Sequence, residues 1–296
     1  MKRWLPFIMI ACAAGFVLFY NERHKTDVDA NPRSILYTVA DTGREITRAP
    51  ARLTRMSDED EIRIGNELAR QYSVGLSAQD VQVETYIQSV GRKIFPMAHR
   101  KLPYQFHYLP DPNLVNAFAL PGGHIFIGGG LLRFMDTEDQ LAGVLGHEIE
   151  HVDQYHCAER VQVEAEARKW HLEDVGALAD IPISLFQVGY SKKQELAADQ
   201  EGTRLAVQAG YSPIGVIRLF EKFERMEQEH TRHPNDPAQE LTGLAWQTLS
   251  GYFESHPLPS ERIQQVRAMI NDSSDPRWRK LSETPMPQAV LTAQGR

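Results

Sequence analysis

Cysteine is scarce in this sequence, with only Cys12 and Cys157 among 296 residues. Two thiols cannot build the disulfide framework that stabilises many small secreted domains. Cys12 lies in an apolar N-terminal run, and Cys157 is predicted to be a small buried residue rather than a nucleophile. Cysteine usage therefore excludes a disulfide scaffold but does not reveal the compartment.

The sequence also lacks an excess of positive charge. Its 32 Lys and Arg residues are outnumbered by 39 Asp and Glu residues, which gives a formal net charge of −7. There is no basic stripe with interleaved aromatic residues, so nucleic acid is not an expected partner. Hydrophobic residues make up 42% and charged residues 24%, a balance that favours a packed globular domain over disorder.

Long hydrophobic runs are missing except for one at the N-terminus, residues 4–20, which follows Lys2 and Arg3. A bilayer span needs about 17–25 residues, so this run is close to the lower limit. We predict that residues 1–20 form a transmembrane anchor or signal and 21–51 a tether. A cleaved signal and a lipoprotein at Cys12 remain alternatives. Each places the following domain on the exported side, with the periplasmic face of a bacterial inner membrane favoured.

Hydropathy patterning predicts an α+β fold that is mainly helical. The globular domain is expected to span 52–272. Residues 273–296, in a segment rich in Pro, Ser and Thr, are expected to form a flexible tail. The predicted helices are 57–72, 80–98, 131–134, 137–168, 194–208, 213–228 and 261–270, and the predicted strands are 106–109, 116–120 and 124–127.

One predicted helix carries two histidines with the spacing of metal ligands. His147 and His151 are four residues apart, so both imidazoles lie on one face and could share a metal ion. Glu148 could take a proton from a metal-activated water and deliver it to the leaving amine. His156 falls nearly opposite the ligand face and is expected to be exposed. The five-residue pattern also occurs by chance on surface helices, so it needs support from elsewhere in the chain.

That support comes from a second helix. Glu195 and Asp199 are four residues apart among alanines that permit close helix packing. Glu195 could be the third ligand of one zinc ion with an open position for water. Asp199 could accept a hydrogen bond from the far nitrogen of a histidine ligand and so select its tautomer. The alternative is a solvated acidic face.

Four segments together resemble the membrane-associated gluzincin peptidases that include the CAAX prenyl, HtpX-like and Oma-type proteases. They are 116–127, 147–151, 190–199 and 255–262, and the resemblance covers 52–272. It implies a zincin-like domain with a small antiparallel sheet whose edge strand lines the cleft. The chain is expected to differ from the multi-span members, because it has one hydrophobic run, and to carry no helical-repeat domain after the catalytic domain.

The resemblance also implies roles for residues outside the metal motif. His256 and Arg262 would stabilise the oxyanion, although His256 could instead occupy the open zinc position or belong to a surface loop. Strand 124–127 would be an edge that pairs with an extended polypeptide. The residues expected to contact substrate are Asn116, Ala117, Phe118, His124, Ile125 and Phe126.

These observations predict a zinc metalloendopeptidase, with one Zn²⁺ per chain, that acts on unfolded or damaged envelope proteins. A maturase for one lipidated peptide is an alternative, but a single anchor disfavours a membrane-buried chamber. A zinc-stabilised scaffold that binds unfolded chains is another, and the intact Glu148 argues against it because a scaffold needs no base. The sequence carries no signal for an oligomeric state.

Overall fold

The structure, a computed structural model, describes residues 56–72, 75–168, 181–187, 189–232 and 259–295. All of them belong to one unit of the chain, 49–296. The predicted anchor, the predicted tether and His256 lie outside the described residues.

The described residues form an α+β fold that is mainly helical, as predicted. Each helix of the sequence prediction is present in some form, and short 3₁₀ turns occupy 95–97, 121–123, 183–185 and 276–279. None of the described helices combines the length and apolar character needed to cross a bilayer. The elements in chain order are α1 (Asp58–Arg70), α2 (Ala78–Ile94), β1 (Gln105–Leu109), β2 (Ala117–Leu120), β3 (His124–Gly128), α3 (Gly129–Arg133), α4 (Glu138–Asp153), α5 (His156–Arg168), α6 (Lys192–Gln208), α7 (Ile214–Arg232), α8 (Pro259–Asp272) and α9 (Gln288–Ala293).

Local sequence explains where several helices begin. The hydroxyls of Ser57, Ser77, Thr137 and Ser191 each accept a hydrogen bond from the backbone N–H three residues later. Such caps satisfy backbone donors that have no partner inside the helix. Ser57 and Thr137 therefore fix where α1 and α4 begin, and Ser191 starts α6 so that Glu195 falls in its first turn.

The sheet differs from its prediction because it is mixed rather than antiparallel. Its order is β1-β3-β2, with β3 parallel to β1 and antiparallel to β2. The local turn at 121–123 indicates the hairpin of β2 and β3. The pairing of β3 with β1, in contrast, joins segments that are not adjacent in sequence. Both backbone edges of β3 are thus occupied, and the predicted pairing of substrate with strand 124–127 is wrong.

The metal-motif helix is also shorter than predicted. Instead of continuing to residue 168, α4 ends at Asp153, and Tyr155 adopts a left-handed φ of 65° before α5 begins. Arg100 supports this break: its Nη1 donates to Val152 O at 2.7 Å, and its guanidinium lies 3.8 Å from the Tyr155 ring centroid. Arg100 comes from a distant loop, so helical periodicity could not reveal its contacts with this break. The break changes the direction in which His156 points.

The C-terminal segment packs on the start of α4, so the predicted flexible tail is wrong for residues 273–295. The backbone N–H of Glu138 donates to Thr284 O at 2.8 Å, and Thr284 N donates to Asp139 Oδ2 at 2.5 Å. Met286 N bonds Asp136 O at 3.1 Å, and α9 packs against α2. The segment supplies partners for polar groups at the N-terminus of the helix, which a composition-based prediction does not detect. Its buried apolar side chains are Trp278, Met286 and Val290.

Met286→Ala is expected to lower the free energy of unfolding by about 2–5 kcal/mol, because it opens a cavity at a side chain that is 3% exposed. Leu281→Ala is the matched control, since Leu281 lies in the same segment but is 62% exposed. It should change stability by no more than about 0.5 kcal/mol. Urea unfolding followed by circular dichroism measures both changes in stability. Negligible effects of both substitutions would support the prediction that this segment is a flexible tail.

Candidate metal centre

Two glycines allow the helices of the site to touch. A Cβ at Gly146 of α4 would lie 2.4 Å from Gly202 O of α6, and a Cβ at Gly202 would lie 2.5 Å from His147 N. Real Cβ atoms do not approach backbone so closely, so larger residues would push the helices apart. The contact brings α6 against the face of α4 next to His147.

His147, His151 and Glu195 come together in the fully buried space between these helices. The two Nε2 atoms are 3.0 Å apart, Glu195 Oε2 is 3.4 Å from His147 Nε2, and Glu195 Oε1 is 3.5 Å from His151 Nε2. His151 and Glu195 are completely buried, and His147 is 4% exposed. The structure thus assembles the three residues that the sequence suggested as metal ligands.

The cluster fits a small divalent cation. A tetrahedral zinc ion, with bonds of about 2.0–2.1 Å to nitrogen, places its ligand atoms about 3.3 Å apart, close to the separations seen here. His147 Nδ1 lies 2.9 Å from Asp199 Oδ1, which requires a proton on Nδ1, so the lone pair of the neutral ring is on Nε2. Burial lowers the pKa of His147, but the hydrogen bonds and charges of Asp199 and Glu195 outweigh it and raise the pKa to about 10. The surroundings therefore favour positive charge at this point.

Arg262 lies behind His147 rather than in front of it. Its Nε donates to Asp199 Oδ2 at 2.5 Å, and its Nη2 donates to Asp199 Oδ1 at 2.6 Å. Its Nη2 is also 3.4 Å from His147 Nδ1, on the side of the ring that faces away from the cluster. This geometry contradicts the predicted contact with an oxyanion, and we assign Arg262 to holding Asp199.

The charge of Arg262 determines the state of that carboxylate. Burial alone would raise the pKa of Asp199, but the charge and hydrogen bonds of Arg262, followed by those of His147, lower it overall. Asp199 therefore stays ionised although it is buried. It does not belong to a solvated acidic face, which was the alternative left open by the sequence. The arrangement is a charged chain from Arg262 through Asp199 to His147.

His151 has a different set of neighbours. Its Nδ1 is 2.9 Å from His156 Nδ1, and its ring stacks on Tyr190 with centroids 4.0 Å apart and planes at 18°. His156 is 6% exposed, so the expectation that it faces solvent is wrong. The spacing of His156 gives no sign of this contact, because the sequence pattern continues as one helix to residue 168. Tyr190 lies in the matched segment 190–199, but its local sequence indicates no role.

Tyr190 also contacts the third member of the cluster. Its backbone N–H donates to Glu195 Oε1 at 3.3 Å, just before α6 begins. On its far side the guanidinium of Arg160 lies 3.5 Å from the Tyr190 ring centroid. Arg160 in turn donates to Leu185 O at 2.6 Å and to Gly189 O at 2.5 Å. One residue thus orients both His151 and Glu195.

The sequence model described as Peptidase family M48 matches residues 81–270, a range that contains the whole cluster. The chain belongs to peptidase family M48. The prediction of a metallopeptidase of this kind is confirmed at the level of the family.

Named relatives of this M48 chain share about a quarter to a third of aligned residues. The Beta-barrel assembly-enhancing protease of Escherichia coli (strain K12) is 27% identical over 223 residues, covering 66% of this chain and 42% of that protein. Mitochondrial metalloendopeptidase OMA1 of Schizosaccharomyces pombe is 32% identical over 199 residues, 64% of this chain and 53% of that protein. Metalloprotease LoiP of E. coli (strain K12) is 28% identical over 164 residues, 52% of this chain and 58% of that protein. The matched part spans about half the length of these relatives.

The two glutamates inside the M48 metal motif have different surroundings. Glu148 is 2% exposed and directly follows His147 in α4. Glu150 is 1% exposed, and its Oε2 accepts from Gln154 Nε2 at 2.8 Å. Burial raises the pKa of Glu150 to about 7. The charged groups around it are Asp153, Glu201 and His99, and Glu150 is not among the clustered ligands.

Most of the predicted substrate-binding side chains are engaged inside the M48 domain. Phe118 stacks on Phe126, with ring centroids 5.0 Å apart, and both rings pack near Tyr72. His124 bonds His107 at 3.0 Å and Asn66 at 2.9 Å. The remaining candidates, Asn116, Ala117 and Ile125, are buried as well.

Proposed function

We propose that this protein is a zinc metalloendopeptidase that hydrolyses peptide bonds in polypeptide substrates. The observation that carries the proposal is the convergence of His147 Nε2, His151 Nε2 and Glu195 on one buried point, with Glu148 buried and next to His147 in the sequence of α4. Membership of peptidase family M48 supports the same reading. A structural zinc site would favour a fourth protein ligand, whereas three ligands are typical of a catalytic site.

The residues divide the work as follows. His147, His151 and Glu195 would hold the metal ion, and Asp199 with Arg262 would orient His147. Zinc bound there would supply Lewis-acid chemistry, lowering the pKa of water to about 7 and polarising the scissile carbonyl. Glu148 would take a proton from the attacking water and return it to the leaving amine when the C–N bond breaks. His256 stays a candidate for stabilising the oxyanion or for covering the site at rest.

An extended polypeptide would pair with β2 rather than with β3. The topology supports this choice, because β3 already has two partners and no other strand among the described residues pairs with β2. The strand packs against α4, and Ala119 O lies 3.5 Å from Cys157 Sγ, which in turn contacts Tyr190. Backbone pairing of this kind reads extended chains with little sequence preference. Asn116, Ala117 and Phe118 are buried, so access to them requires the segments that cover β2 to move.

For the biological setting we propose quality control of envelope proteins by an enzyme anchored through residues 1–20, with its domain on the exported side. The apolar run after Lys2 and Arg3 supports the anchor. Two relatives, a β-barrel assembly-enhancing protease of Escherichia coli and a mitochondrial metalloendopeptidase of Schizosaccharomyces pombe, support a setting of this kind.

Metal removal tests the proposal. The full chain should cleave unfolded casein, a strong chelator should abolish cleavage, and Zn²⁺ restored in slight excess should recover it. The physical reason is that carbonyl polarisation and water activation both depend on the ion. Cleavage that survives complete removal of zinc, measured by mass spectrometry of the metal content, would contradict a metallopeptidase.

A further inference from the structure

The second histidine of the cluster needs a specific protonation state, and its surroundings show what provides it. His151 directs Nε2 toward His147 and Glu195, and its Nδ1 lies 2.9 Å from His156 Nδ1. A neutral imidazole has one N–H donor and one acceptor nitrogen. For His151 Nε2 to offer a lone pair to a metal ion, the proton must be on Nδ1.

That requirement determines the state of His156. Two facing Nδ1 atoms at 2.9 Å can share only one proton, so His156 must offer a lone pair at Nδ1 and carry its own proton on Nε2. We propose that His156 is a positioning residue that selects the metal-binding tautomer of His151. The inference rests on the proposed metal centre and adds to it a residue that does not touch the metal.

The fold makes this contact in a way that an unbroken helix could not. Five residues along a regular helix correspond to a rotation of about 140°, which would turn His156 away from His151. The left-handed Tyr155 and the support of Arg100 end α4 at Asp153 and restart the chain as α5. As a result His156 folds back against the ring and is 6% exposed.

The plane of the His151 ring is held by a second contact. Tyr190 covers one face of the imidazole with near-parallel planes, and Arg160 backs Tyr190. The stack restricts tilting of the ring, and the bond from Nδ1 restricts its rotation. His147 gains the equivalent bond from a carboxylate, so the two histidines are oriented by different chemistry: an ionised Asp199 for one and a neutral imidazole for the other.

The test is zinc affinity across substitutions at one position, measured on the full chain by competition with a chromogenic chelator. His156→Leu removes the acceptor and should weaken zinc binding about 10–100-fold. His156→Asn places Oδ1 where Nδ1 was and should stay within about threefold of the wild type. His156→Asp should bind at least as tightly, because its acceptor is charged.

His107→Leu is the matched control, since His107 is a half-buried histidine bonded to another histidine, His124, at 3.0 Å. It should leave zinc affinity unchanged. A second readout is nitrogen NMR of ¹⁵N-histidine-labelled protein with zinc, which should show His156 protonated at Nε2 and His151 at Nδ1. Equal affinity for His156→Leu and wild type, or an Asn variant as weak as the Leu variant, would overturn the inference.

Glu195→Gln separates this inference from the proposed function. Suppose that the wild type binds zinc tightly, that Glu195→Gln weakens binding, and that no substitution at His156 changes the affinity. This outcome would refute only the role of His156. Failure of both the wild type and Glu195→Gln to bind zinc would refute the metal centre itself and the inference that depends on it. If a His156 variant loses its circular dichroism signal, its zinc affinity is not counted. The tautomers of His151 and His156 in the wild type, measured by NMR, then decide the inference.

Discussion

Glu148→Gln is expected to lower kcat/KM for peptide hydrolysis by about 10²–10⁴-fold, the contribution typical of a general acid–base group. Glutamine preserves the shape of the side chain, but its amide cannot take a proton from water. Because Glu148 is not one of the three clustered ligands, zinc affinity should change little. Initial rates on an internally quenched peptide, with zinc content measured on the same samples, give the two quantities.

Glu150→Gln is the control for this substitution. It changes the same residue type in the same helix and is buried to the same degree, but it lies outside the cluster. Its activity should stay within a few-fold of the wild type. Equal losses in both variants would indicate a general effect of altering α4, and full activity of Glu148→Gln would exclude it as the base.

Arg262→Met should lower the free energy of unfolding by about 3–5 kcal/mol, because it leaves the Asp199 carboxylate buried without its charged partner. Arg262 is 2% exposed and contacts both oxygens of that carboxylate. Zinc affinity should fall as well, since Asp199 orients His147. Arg262→Lys should recover only part of both losses, because a single ammonium group does not reproduce the two-oxygen contact.

The matched variant is Arg267→Met, on the same helix. Arg267 pairs with Glu221 at 2.6 Å, but its side chain is 59% exposed. Screening by water limits such a pair to no more than about 1 kcal/mol. Chemical denaturation compares the two arginines directly. An Arg262→Met protein that keeps its stability and zinc affinity but loses turnover would instead support the oxyanion role that the family resemblance implies.

Sequence reasoning was most reliable where the signal was local. Capping hydroxyls at Ser57 and Thr137, and the turn at 121–123, lie next to the elements they start or join. The spacing of His147, His151, Glu195 and Asp199 is local within each helix, so each pair could be placed on one helical face. The alanines around Glu195 and Asp199 indicated close packing of the two helices. The contact of Gly146 with Gly202 is a close packing of small residues.

The failures share a cause, which is that a distant part of the chain overrides a local pattern. Arg100 and the loop around it end α4 where hydropathy continues, and this turns His156 from a predicted surface residue into a neighbour of His151. The parallel pairing of β1 with β3 fills an edge that a hairpin alone would leave open. The backbone N–H and C=O of Thr284 form hydrogen bonds with groups at the start of α4, although the composition of this segment resembles that of a loop.

The sequence by itself determined the fold class, the family resemblance, and a set of metal-ligand candidates, because residue type and helical spacing are sufficient for these. Only the tertiary structure decided what lies behind the ligands: Arg262 on Asp199, and His156 and Tyr190 on His151. These contacts join α4 to α5, α6 and α8, and no spacing within one segment encodes the distance between atoms of different segments. The protonation of each imidazole follows from those distances.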